Sequence, residues 1–376
     1  MLRNIHWLTI TLLVMAGLVL GACGSPPPAQ EAAPTEEAAV EPAPTEEAAP
    51  TEEAAVEEPA PTEEAEAAEA GAAVVKVALL LPGPITDGGW SQLAYEGLEA
   101  LGQEEGFEVA NTESVSQADI PEFTRGYADD GYDLIIGHGF EFGSAFIEIA
   151  PEYPDQFFFA TTFQPQDDIP ANVMYVDAAY FDAAYGAGAL AALMSESHVV
   201  GFVGGGDNPT QRGMMNAFIT GAESTVPDTT GLGVVTGDYN DAAKGREAAA
   251  TMIGNGADVI WHAADVTGLG AIEGASASGA KVLGAYSDQT SVAPDSMGAS
   301  LVMDLSAMVQ TLGHDVRDGA FAAGTEWKPT VAEMWHWSAG DSDHNSEIIP
   351  DDVWEQYLVI WNDLAAGKIE YTVVTE

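Results

Sequence analysis

Residues 74–103, VVKVALLLPGPITDGGWSQLAYEGLEALGQ, change hydrophobic period once, and that change decides the fold. The first eight residues form a short apolar run closed by Pro82-Gly83, as a strand buried on both faces of a parallel sheet requires. After a glycine loop, Leu93, Gly97, Leu98 and Leu101 recur on one face of a helix expected over 90–103. Further strands are expected over 107–115, 132–136 and 157–162, with helices over 118–129 and 142–150 between them. A second series begins near Ala178. It holds helices over 182–195, 210–223, 241–254 and 267–278 and strands over 199–203, 231–237, 258–261 and 281–285. Strands alternating with helices of about 10–15 residues build right-handed βαβ units and a parallel sheet covered on both faces. Two such series make an α/β protein of two doubly wound lobes, with a ligand cleft outside the carboxyl ends of their strands.

Unusual residues collect at those carboxyl ends. Asp87, Trp90 and Ser91 follow the first strand, and His138, Phe140 and Glu141 follow the third. Thr161-Thr162-Phe163 closes the fourth. In the second series the strand ends carry Gly204-Gly205-Gly206-Asp207-Asn208, then Tyr239-Asn240-Asp241, then His262 and Asp265, then Tyr286 and Asp288. Aromatic faces interleaved with carboxylates suit a flat, hydrogen-bonding, partly apolar ligand. A Trp at a helix start or a His beside a strand also serves as a packing anchor, and position at the strand ends is what favours binding. Trp335-His336-Trp337 reads as an edge or hinge strand packing its rings.

Charge limits the partners. Fourteen of the 60 acids precede Val74, leaving 46 Asp and Glu against nine Lys and Arg, a balance of −37 for residues 74–376. Nucleic acid and anionic lipid find no basic patch on such a chain. Self-repulsion of this size is softened by salt, which points to a saline surrounding solution. About 300 residues suffice for two lobes with their own cores.

The N-terminus carries an address. Arg3 precedes an apolar run over 8–20, followed by Leu20-Gly21-Ala22-Cys23. This is the form of a secretory signal, too short to span a bilayer as a mature helix. With Cys23, the single cysteine, directly after small residues, the segment resembles a bacterial lipoprotein signal over 1–22, which implies lipidation of Cys23. An ordinary signal peptide with an incidental thiol is the alternative. PTEEAA-like units then repeat over 23–73, with recurrent Pro, repelling glutamates and almost nothing large to bury. Such a segment is expected to be a disordered stalk that holds the folded part off the membrane.

Several further phrases, in order, carry a resemblance over essentially all of 74–376. GHGFEFGSAF, YGAGALAALM, GFVGGGDNPTQRGMMNAFITGA, GADVIWHAADVTGLGAIEGA and LGAYSDQTSVAP, with the opening stretch, are similar to the basic membrane protein family, the PnrA-like substrate-binding lipoproteins of ABC importers. The resemblance implies a type I periplasmic-binding-protein fold whose lobes close on a hinge. On this reading the N-lobe comprises about 74–177 and 302–325, and the C-lobe 178–301 and 326–376. It also implies a purine nucleoside or nucleobase as ligand, ABC permease subunits as partners, membrane contact through the lipid alone, a monomer, and neither cofactor nor metal. Asp87 and Trp90 match the family's acid and ring-stacking aromatic, while Ser91 replaces the usual Asn. Met214 stands where the family has a second aromatic; a thioether still packs on a ring face. Tyr286 occupies the position of a ribose-binding Asp, and Met303 that of a ribose-binding Lys. These departures favour a free purine base over a nucleoside, with Asp87, His262 or Asp265 on its polar edge. His138, Ser91 and Asp288 form the alternative, a ribose site of different composition.

Enzymatic motifs are missing from the sequence: no Walker lysine follows the 204–206 glycines, and neither G-x-S-x-G nor H-E-x-x-H occurs. The expectation is therefore a protein without catalytic residues. Asp341-Ser342-Asp343 begins like a calcium loop but lacks its later Gly and Glu, and reads as solvated. A ligand-sensing receptor of the same fold, signalling to a membrane partner, is the other functional class, and a lipoprotein adhesin a third.

Overall fold

A computed structural model of the chain describes residues 74–161 and 168–375. The expected signal, Cys23 and the stalk, together with Thr162 and Phe163, lie outside the described residues. The first series forms β1 (Val75–Leu80), α1 (Trp90–Gly102), β2 (Phe107–Thr112), α2 (Ile120–Asp129), β3 (Leu134–Gly137), α3 (Phe142–Ile149), β4 (Phe157–Thr161) and β5 (Val173–Val176). The second forms α4 (Tyr180–Met194), β6 (Val199–Gly204), α5 (Pro209–Thr225), β7 (Thr230–Val235), α6 (Ala242–Gly254), β8 (Val259–Ala263), α7 (Asp265–Ala277), β9 (Lys281–Tyr286) and β10 (Met297–Met303). The chain then adds α8 (Leu305–Arg317), β11 (Thr325–Trp327), α9 (Val331–Met334), β12 (Trp335–Ser338) and α10 (Asp351–Ala365).

The strands make two six-stranded sheets with matching order, β11-β5-β4-β3-β1-β2 and β12-β10-β9-β8-β6-β7. All pairs are parallel except β10 with β12. β1 and β3 are completely or nearly completely buried, as their unbroken apolar runs require. In each sheet the winding reverses beside the strand that opened the series, between β1 and β3 and between β6 and β8. A doubly wound sheet opens a crevice at that reversal, outside the carboxyl ends of the strands.

The chain changes sheet between β5 and α4, between β10 and α8, and between β11 and β12. Hydrogen bonds tie these passages together. Asp177 N–H donates to Trp327 O at 2.9 Å, Asp304 N–H to Met334 O at 3.0 Å, and the Trp335 indole to Ala178 O at 2.7 Å. Trp335 and Trp337 are buried on edge strand β12 while His336 is exposed. The period-2 pattern of that triplet puts both indoles on one face.

Helix α4 has no polar face because it has no solvent face: twelve of its fifteen residues are buried. It packs against α5, and a Cβ at Gly188 would strike the Phe218 carbonyl, as one at Gly221 would strike that of Tyr185. The small residues of YGAGALAALM serve this close backbone approach.

Candidate functional site

A cavity of about 110 Å³ lies where the two reversal points face each other. Lobe one contributes Pro82, Gly83, Asp87, Trp90, Ser91 and the turn Gly139-Phe140-Glu141. Lobe two contributes Asn208, Gln211, Tyr239, Asp265 and Tyr286, and Tyr180 enters from the start of α4. Among the described residues the lining holds three carboxyl groups and no Lys, Arg or His.

Asp87 is buried and already engaged. Its Oδ1 accepts from Gly89 and Gln92 N–H at 3.0 and 3.1 Å, and its Oδ2 from Ser91 N–H at 2.7 Å. It therefore works as a side-chain cap that fixes the first turn of α1 and aims Trp90. Gly88, with φ of +79°, makes the turn that allows this. Trp90 is half-buried and stacks on the His138 ring at 4.0 Å and 20°. Tyr286 meets it edge-on at 5.5 Å.

His138 is buried behind Trp90. Its Nε2–H donates to Trp90 O at 3.1 Å and its Nδ1 accepts from the Thr161 hydroxyl at 3.4 Å. Burial pushes its pKa down to about 3, so the imidazole is neutral. The Ser91 hydroxyl is buried, borders the cavity and has no partner.

On the facing lobe the Gly205-Gly206 backbone lies against the Tyr239 ring, with no room for a side chain at either position. The glycine run therefore accommodates an aromatic wall. Asn208 caps α5 through Gln211 N–H and donates to the Tyr239 hydroxyl at 3.0 Å. Asp265 and Tyr286 both have left-handed backbones, φ 47° and 67°, a strained arrangement that gathers at functional sites. Asp265 is buried, and its Oδ1 has no partner. Burial, and then the nearby Asp87 charge, raise its pKa well above the usual carboxyl value. Burial raises that of Glu141 as well.

Of the residues singled out in the sequence, Asp87, Trp90, Ser91, Phe140, Asp265 and Tyr286 line the cavity, as do Glu141, Asn208, Tyr239 and Asn240 from the same strand ends. Others sit elsewhere. Met214 is a core residue of α5, fully buried. His262 belongs to β8 itself and not to the loop after it. Its Nε2–H donates to Gln289 Oε1 at 2.9 Å, and the ring packs beneath Gly268, outside the lining. Burial lowers its pKa to about 4. Asp288 accepts from Thr290 N–H at 2.9 Å on one side and from the Ser338 hydroxyl and Gly340 N–H, at 2.8 and 2.7 Å, on the other. It braces the end of β12. Met303, buried in β10, is likewise outside the lining. Tyr180 was missed because it opens a helix at a crossing between lobes, where hydrophobic period gives no hint that a residue faces a cleft.

Residues 74–332 match the family described as ABC transporter substrate-binding protein PnrA-like. The chain belongs to this family. PnrA-like proteins are substrate-binding and not enzymatic. Basic membrane protein A of Borreliella burgdorferi is 29% identical over 238 residues, 62% of this chain and 70% of that protein. A purine-binding protein of Brucella abortus is 29% identical over 259 residues, 67% of this chain and 72% of its own. An ABC transporter nucleoside-binding protein of Lactococcus lactis is 26% identical over 262 residues, 64% and 74%. The fold is shared with an ABC transporter solute-binding protein of Aeropyrum pernix, with a TM-score of 0.70 at 19% identity, covering 80% of this chain and 94% of that one.

Proposed function

We propose that this PnrA-like protein is the lipid-anchored, extracytoplasmic receptor of an ABC importer that captures a purine by hinge closure, preferring the free base to the nucleoside. Its cavity carries this reading. Five aromatic residues, Trp90, Phe140, Tyr180, Tyr239 and Tyr286, surround a space that also holds unpartnered hydrogen-bonding groups. Rings give a planar ligand its stacking faces, and unpartnered polar atoms give it its orientation. Tyr286 fills space that a sugar would need. A lining without a cation is ill suited to phosphate. The relatives named for purine and nucleoside binding agree with the ligand class. The hinge proposal rests on the three tied crossings, and the anchor on Leu20-Gly21-Ala22-Cys23.

Calorimetric titration of the purified protein with adenine, adenosine, guanine and guanosine tests the reading. The base is expected to bind at least about tenfold more tightly than its nucleoside, about 1.4 kcal/mol. Equal or tighter nucleoside binding would overturn the base preference. A response to a sugar or an amino acid, with none to any purine, would overturn the ligand class.

A further inference from the structure

We propose that Asp265 sets purine specificity by pairing as a neutral carboxylic acid, which selects a ligand edge bearing a donor beside an acceptor. The proposal rests on the purine reading above. A protonated carboxyl offers one O–H and one C=O side by side, complementing the amino group and N1 of adenine. A carboxylate offers two acceptors and complements two adjacent donors, such as N1–H and the 2-amino group of guanine.

Three features of the site favour the acid form. Asp265 opens the thirteen-residue helix α7, where backbone N–H groups would ordinarily stabilise a carboxylate. One of those groups is already spent, Thr267 N–H on Tyr239 O at 2.9 Å, and Gly268 N–H makes the first intrahelical bond, to Ala264 O at 2.9 Å. The buried Oδ1 receives no donor from the protein. The titratable groups around it supply no positive charge either. The loop after β1 presents Asp87, the turn before α3 Glu141, the loop after β7 Tyr239, and the end of β9 Tyr286. His262, three residues upstream, is neutral, and burial with the Asp87 charge raises the Asp265 pKa. Ionising Asp265 in this setting adds a buried negative charge near that of Asp87, and unlike Asp87, whose oxygens accept three backbone N–H bonds, its Oδ1 has no donor to offset it. A ligand donor–acceptor edge instead satisfies the neutral group with two hydrogen bonds.

The left-handed backbone at 265 makes the substitutions clean. Asn tolerates that region and presents a permanent donor beside an acceptor, while Gly adopts it freely and removes the group. Adenine and guanine are titrated calorimetrically into wild type, Asp265→Asn and Asp265→Gly, in mildly acidic and mildly alkaline buffer. In acidic buffer Asp265→Asn is expected to hold adenine within about threefold of wild type, while Asp265→Gly loses at least about tenfold. Wild-type adenine affinity falls as pH rises, because the acid must ionise, and Asp265→Asn lacks that fall. Guanine does not weaken in parallel, since the carboxylate accepts from its two donors. Loss of adenine by Asp265→Asn, retention by Asp265→Gly, or an equal pH-dependent fall in Asp265→Asn would each overturn the proposal. Wild type that binds no purine in either buffer would instead overturn the underlying purine reading.

Discussion

Trp90 shows how one residue is divided between structure and binding. One of its faces rests on His138, whose neutral ring is held by Trp90 O and Thr161, and the indole also borders the cavity. Half-burial distinguishes it from a core residue such as the fully buried Trp261. Trp90→Ala is therefore expected to cost about 1–3 kcal/mol of purine affinity, the scale of stacking between a base and a ring. Calorimetry on the folded variant checks this. A large loss of stability with unchanged affinity would instead make Trp90 a packing residue, since emptied core sites cost about 3–5 kcal/mol. Asp87 illustrates the opposite balance: the sequence marks it as a ligand contact, yet three backbone N–H groups already occupy its oxygens.

Among the elements, the α4–α5 pair is the most demanding contact. Its backbones approach so closely that Gly188 and Gly221 each face a carbonyl of the other helix. Gly188→Ala should force the helices apart and destabilise by about 1–3 kcal/mol, the usual cost of overpacking. Gly254, the last residue of α6, has open space around its Cβ position and a backbone outside the left-handed region. Gly254→Ala should be neutral or stabilise by up to about 1 kcal/mol. Denaturant midpoints of the two variants measure the contrast, and equal effects would contradict the packing argument.

Across the whole molecule, charge is the dominant long-range force. Each of the nine Lys and Arg among the described residues lies within ion-pair distance of an acid. These are surface pairs of small individual value. Among the described residues most of the acids have no such partner and repel one another. Raising sodium chloride from low to near-molar concentration should therefore increase the melting temperature by at least about 2–4 °C, the shift expected from about 1 kcal/mol. A control series in sucrose separates screening from general surface exclusion. A melting temperature that stays flat or falls in salt would show that self-repulsion does not limit stability.

Local sequence was enough to specify most of the alternation of strands and helices from Val74 to Ala285, because hydrophobic period reports how each segment is buried, but it gave no sign of the four-residue strand β5 (Val173–Val176). It also placed the candidate site at the strand ends, since the parallel topology fixes where the crevice opens. Beyond Ala285 it said little. α8 and β11 return to the first lobe and β12 closes the second sheet, and those destinations depend on contacts between distant segments. The same reason explains the misplaced residues. Met214, His262 and Asp288 sit on elements close to the cleft, but which way each side chain turns was settled by packing and hydrogen-bond partners far away in the chain. Only the tertiary structure decided that Asp87 is spent on its helix, that Tyr180 enters the cleft, and that Asp265 retains an unpartnered oxygen beside a cavity without cations.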